Sequence, residues 1–130
     1  MIKRLLLVLI ISLSLVACGS TSSNKKRYRD TDSQVVPENS PAMLNVKMGV
    51  AYFERNDYDT ALVKLKRALK HNPKLAIAHS AIATVYAAMN AHADAERHYE
   101  LSVRYAPNDP TILNNYGTFL CQNGKYLEAV

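Results

Sequence analysis

The sequence predicts an all-α fold built from repeated helical units, and three observations carry that prediction. First, residues 42–75 and 76–109 are two writings of one 34-residue unit. Gly49 falls over Ala83, Tyr52 over Tyr86, Ala61 over Ala95, Leu65 over Tyr99, Ala68 over Ser102 and Pro73 over Pro107. Self-similarity at such a period marks stacked supersecondary units. Second, apolar residues recur every three or four positions, as in Leu62, Leu65 and Leu69, the spacing of an amphipathic helix. Third, each unit closes on a proline, which cannot continue a helix and biases the preceding residue away from helical angles. A third, partial copy begins at Pro110, with Tyr116-Gly117, Leu120 and Ala129 in register.

Residues 1–17 have the order of a secretory signal peptide. Met1-Ile2-Lys3-Arg4 is a positive start and Leu5 to Val16 an apolar run, too short to cross about 30 Å of hydrocarbon comfortably. The run ends in Leu15-Val16-Ala17-Cys18-Gly19, which resembles the bacterial lipobox. That resemblance implies cleavage before Cys18, a thioether-linked diacylglycerol on its sulfur and usually an N-acyl chain. Each buried methylene contributes about 0.8 kcal/mol, so two or three chains make a durable membrane anchor. Glycine rather than aspartate after the cysteine implies an outer-membrane location, facing the periplasm.

Residues 18–41 hold that cysteine and a linker rich in Ser, Asn, Lys and Asp, with too few apolar groups to offset the entropy of ordering. As a flexible coil of about 22 residues, the linker spans roughly 25 Å. Lys25-Lys26-Arg27 and Arg29 offer contacts to anionic headgroups, although an ordinary solvated tether is the simpler reading. Residues 1–41 carry six Lys/Arg against three Asp/Glu and residues 42–130 carry ten against eight, which divides the net +5 into +3 and +2. A repeat region so balanced has no electrostatic footprint for nucleic acid.

Within the first unit, Asn56-Asp57-Tyr58-Asp59 supplies turn and cap chemistry. Asn123-Gly124-Lys125 does the same in the third copy with a glycine. Asn72 and Asn108 suit the turns beside Pro73 and Pro107. The order small, aromatic, small, bulky, small, proline at this period resembles the tetratricopeptide repeat, a helix–turn–helix. The resemblance implies an α-solenoid of antiparallel helices A and B, with two full repeats (42–75 and 76–109) and a partial third (110–130) in one domain over 42–130. Gly49, Ala61 and Ala68 are then expected where A crosses B, since larger side chains would push the axes apart. Tyr52, Leu65, Tyr86 and Tyr99 fill the space beside the crossing. With the third copy partial, an apolar face is expected to stand exposed near Leu113, Tyr116 and Leu120.

No catalytic constellation is legible. His71, His79, His92 and His98 include no i, i+4 pair that would set two ligands on one helical face. His79 stands where the repeat often carries tryptophan and is expected to pack. Glu96 and Glu100, among Arg97 and His98, read as a solvated helix face. With Cys18 lipidated, Cys121 is left alone, so there is no disulfide framework, and it reads as a small packing residue. There is no glycine-rich phosphate loop and no nucleophile elbow. The chain is expected not to be an enzyme, with no cofactor, metal or small-molecule substrate.

A tetratricopeptide array lines its inner groove with A helices. By resemblance, the groove positions are Met43, Val46, Val50 and Phe53 in the first copy. They are Ile77, Ser80, Thr84 and Ala87 in the second, and Thr111, Asn114, Thr118 and Cys121 in the third. Such a groove, apolar at one end and small and polar at the other, suits an extended or helical peptide; the plainer reading of Val46, Val50 and Phe53 is core packing. Chaperone-binding members grip a terminal carboxylate with a lysine and an asparagine where this chain has Val46 and Val50, so that clamp is absent.

The third copy is the most particular stretch: Asn114-Asn115-Tyr116-Gly117-Thr118-Phe119-Leu120-Cys121-Gln122, then Gly124-Lys125-Tyr126-Leu127-Glu128-Ala129. With the lipobox and the spacer it resembles the type IV pilus biogenesis and stability lipoproteins, the pilotins of the pilus secretin. Members carry about six repeats, so this chain departs from the pattern by stopping inside the third. The resemblance implies a lipid-anchored adaptor that binds secretin subunits and aids their outer-membrane targeting and assembly. The alternative is a general periplasmic tetratricopeptide scaffold lipoprotein for envelope or peptidoglycan-enzyme assembly.

Overall fold

The computed structural model describes residues 35–124. They form five helices, with no strand among the described residues: α1 (Pro41–Glu54), α2 (Tyr58–His71), α3 (Ala76–Ala88), α4 (His92–Tyr105) and α5 (Pro110–Gln122). The all-α expectation holds, as two complete hairpins and a fifth helix. Residues 1–17, expected to be a signal peptide, Cys18, the basic cluster at 25–29 and the segment from Lys125 onward lie outside the described residues.

Local chemistry sets the helix boundaries. Proline opens α1 and α5, where a missing N–H costs nothing. Ser40 Oγ accepts from the Met43 N–H at 3.2 Å, and Asp57 from Thr60 at 3.1 Å. Asp109 accepts from both Thr111 and Ile112, at 2.9 and 3.2 Å. α3 and α4 begin at Leu75 and Ala91 without a side-chain cap, so their starts depend on packing. Each A–B turn passes through one left-handed residue: Asn56 at φ 62°, Asn90 at φ 59° and Gly124 at φ 74°. These stand 34 residues apart, and asparagine and glycine are the residues that enter this region at least cost. The turn then closes by the same bond twice, Asp57 N–H to Tyr52 O at 3.0 Å and Ala91 N–H to Tyr86 O at 2.9 Å.

Small residues set the hairpin spacing as expected. Ala61, Ala68, Ala83, Ala95 and Ser102 are wholly buried. A Cβ on Gly49 would lie 2.5 Å from Leu65 Cγ and 3.2 Å from the Ala61 carbonyl oxygen. Helix α3 packs against α1, α2, α4 and α5, and its buried residues, Ala78, His79, Ser80, Ile82, Ala83 and Val85, spread around its circumference. Two clusters make the core. One joins Val46, Leu62, Leu65, Ala78, Ile82 and Val85; the other joins Ala83, Ala95, Tyr99, Phe119 and Leu120.

Three positions differ from the sequence reading. Leu120 is buried and Tyr116 stacks on Tyr99 with ring centroids 5.4 Å apart. The expected exposed face therefore reduces to Leu113, 44% exposed, because α5 lays its Phe119–Leu120 side on the preceding hairpin. Cys121, read as a packing residue, is exposed: it falls on the side of α5 turned away from that hairpin. The end of the linker is also tied down. Val36 packs on the first cluster, and Glu38 pairs with Lys47 at 2.7 Å.

Candidate functional site

The helix-A residues of the first two repeats converge on one cleft. α1 contributes Val46, Val50 and Phe53. α3 contributes Ile77, Ser80, Ala81, Thr84 and Val85, Leu65 comes from α2 and Asn115 from α5, around a volume of about 210 Å³. Val50 is 38% exposed while Val46 is 4%, so Val50 forms the accessible rim and Val46 the floor. The floor of the cleft is also the wall of the first core cluster.

The lining grades from aliphatic to polar. Thr84 Oγ1 donates to the Ser80 carbonyl at 3.1 Å, which leaves it to accept from the Tyr99 hydroxyl at 3.1 Å. Burial pushes the Tyr99 hydroxyl above its usual range, opposed by the bond to Thr84, so the phenol stays neutral. Asn115 Nδ2 lies 3.4 Å from Ser80 Oγ. No Lys, Arg, Asp or Glu is among the lining residues. Such a surface receives uncharged side chains and offers amide and hydroxyl groups to a backbone at one end.

Of the residues expected in the groove, Val46, Val50, Phe53, Ile77, Ser80 and Thr84 line the cleft. Met43 is half-buried against the first core cluster instead. Asn114 and Thr118 are exposed on α5 with Thr111 and Cys121, outside the cleft; the Thr118 hydroxyl is spent on the Asn114 carbonyl at 2.8 Å. Groove positions on α1 become a cleft because α3 stands beside them, and no described helix stands beside that face of α5. Leu65, Ala81, Val85 and Asn115 line the cleft without being among the expected groove positions, and Asn115 is the polar one. It occupies the repeat position of Ala81, which also lines the cleft, so the signal lay in the helix-A face that turns back toward the preceding repeat.

Among the described residues, no group of three or more His, Cys, Asp or Glu is placed to hold a metal ion. No described helix is long and apolar enough to cross a membrane.

Two family models match the chain, one described as TPR repeat over residues 49–90 and one as tetratricopeptide repeat over residues 98–130. An uncharacterized protein of Haemophilus influenzae is 27% identical over 128 residues, covering 98% of this chain and 66% of its own length. The type IV pilus assembly protein PilF of Pseudomonas aeruginosa is 26% identical over 129 residues, covering 99% of this chain and 49% of its own. A solved structure from the functional characterization of Pseudomonas aeruginosa pilF superposes with a TM-score of 0.67 at 30% identity, over 68% of this chain and 40% of that one. The chain thus spans 66% and 49% of the length of these two curated relatives, and it is homologous to PilF. With two family models matching successive stretches of the sequence and the described helices packed as antiparallel hairpins in series, the chain carries tetratricopeptide repeats folded as an α-solenoid.

Proposed function

We propose that this chain is a lipid-anchored adaptor of type IV pilus assembly, whose cleft receives a segment of a pilus secretin subunit. The observation that carries this reading is the homology to PilF along 99% of the chain. The cleft supplies a physical mechanism for it. Full burial of one aliphatic side chain contributes about 1.5–3 kcal/mol, and the Val50–Phe53–Ile77 end has room for such a side chain. Ser80 and Asn115 then fix the direction of the bound segment. With Val46 and Val50 where a carboxylate clamp would need polar groups, the segment gripped is an internal apolar one. Acyl chains on Cys18 would hold the adaptor at the periplasmic face of the outer membrane, with the linker giving it reach. The work is mechanical: retention of an assembly-prone subunit close to the membrane it must enter.

The test is co-purification from detergent-solubilised envelopes, comparing wild type with Val50→Glu. Val50 is on the rim, so the variant keeps its helical circular dichroism. Secretin recovered with wild type and lost with the folded variant supports the reading. Equal recovery moves the secretin contact to another surface. No secretin with wild type removes the pilotin role and leaves the general envelope scaffold. Membrane retention of wild type but not of Cys18→Ser tests the anchor.

A further inference from the structure

The α3–α4 interface carries a titratable pair that the binding reading does not use. His79 on α3 and His98 on α4 meet Nδ1 to Nδ1 at 3.0 Å. His79 Nε2 lies 3.0 Å from the Pro73 carbonyl oxygen, in the connection between α2 and α3. A carbonyl only accepts, so His79 Nε2 carries a proton and donates to Pro73. Its Nδ1 is then the acceptor, and His98 Nδ1–H donates to it; this tautomer assignment follows from the bonding pattern. Two neutral imidazoles thus tie the connecting loop, α3 and α4 in one line.

The surroundings disfavour charge on that line. His79 is 6% exposed, and Tyr105 lies over it at a centroid distance of 5.5 Å. Tyr86 covers His98 at 5.8 Å, with Lys66 of α2 5.6 Å from the Tyr86 ring. Burial, then His79, Arg97 and Lys66, hold the His98 imidazole down to about 4, with Asp94 acting the other way; burial lowers His79 as well, against the bond to Pro73. The pair can share one added proton by exchanging donor and acceptor. A second proton leaves two N–H groups opposed across the 3.0 Å gap in a site half closed to water.

We propose that the His79–His98 pair is an acid-sensitive latch, which holds the second hairpin closed when neutral and releases α4 from α3 when both rings are protonated. The latch is coupled to the cleft by sequence adjacency. Ser80, next to His79, lines the cleft, and Tyr99, next to His98, braces Thr84 across the same interface. Acid release therefore loosens one cleft wall, whatever that cleft binds.

The experiment uses the full chain in detergent, as wild type and as His98→Asn, whose amide N–H keeps the donor to His79 without titrating. Histidine resonances followed by NMR between pH 7.5 and pH 3.5 are expected to show His98 titrating near 4, with amide exchange in α4 rising before that in α1 and α2. Urea titrations at pH 7.5 and pH 5 are expected to show the unfolding constant of wild type rising about tenfold more than that of the variant. His98 titrating as an ordinary imidazole, or equal pH dependence in the two proteins, overturns the latch. The NMR arm decides the question even if His98→Asn does not fold.

Discussion

Gly49 and Gly117 occupy the same position of the repeat, and alanine at the two sites is expected to move stability in opposite directions. In a helix interior the change removes glycine's excess backbone entropy and favours folding by about 1 kcal/mol. At Gly117 nothing lies within 4 Å of the added Cβ, so that gain stands and Gly117→Ala stabilises by about 0.5–1 kcal/mol. At Gly49 the Cβ would meet Leu65 Cγ at 2.5 Å and Cδ2 at 2.7 Å, where carbons prefer about 3.5–4.0 Å. Leu65 must retreat by about 1 Å, and it is fully buried with the Ala61 backbone at its side. Overpacking of this kind costs about 1–3 kcal/mol, so Gly49→Ala is expected to destabilise by about 1–2 kcal/mol net. Urea unfolding followed by circular dichroism at pH 7.5 reads both, as midpoint shifts at constant slope. Leu65→Ala alone costs about 2–5 kcal/mol, but it removes the clash, so adding Gly49→Ala to that background is neutral or stabilising. Gly49→Ala as stable as wild type, or additive with Leu65→Ala, would refute the argument that this contact sets the hairpin spacing.

Other perturbations follow from single features. Asp109→Ala removes the acceptor of two N–H groups at the start of α5 and is expected to lower stability by about 1–2 kcal/mol, seen as a drop in melting temperature. Stability should fall as pH drops from about 6.5 toward 4, because His98 binds its proton in the unfolded chain before the folded one. The full shift corresponds to ~3 kcal/mol, which solvent access at the half-buried ring reduces to ~1–2 kcal/mol; urea midpoints across that range measure it. Cys121 should react with a maleimide in native conditions without denaturant, as its exposure requires, and Cys121→Ser should leave the urea midpoint unchanged.

The cleft was partly legible in the sequence. The resemblance to the tetratricopeptide array places Val46, Val50, Phe53, Ile77 and Thr84 on the groove side, and helix periodicity keeps the residues of each helix together on one face. Asn115 rather than Asn114 or Thr118 reaches the cleft, because periodicity does not say which neighbouring helix a face will meet. Cys121 and Leu120 show the same limit. Adjacent in sequence, they point to opposite sides of α5, and only the packed hairpin decides which side is covered.

What the sequence determined by itself was everything that repeats. The 34-residue period, the small residues at the crossing and the prolines are local requirements of backbone geometry, met by residue type at fixed spacing. The tertiary structure decided what happens between units. It sets the rotation that turns a helix-A stripe into a cleft, the unequal fates of Gly49 and Gly117, and the meeting of His79 with His98 across 19 positions of chain. A contact between helices depends on their relative rotation and spacing, which side chains from several segments fix together and no single window of sequence contains.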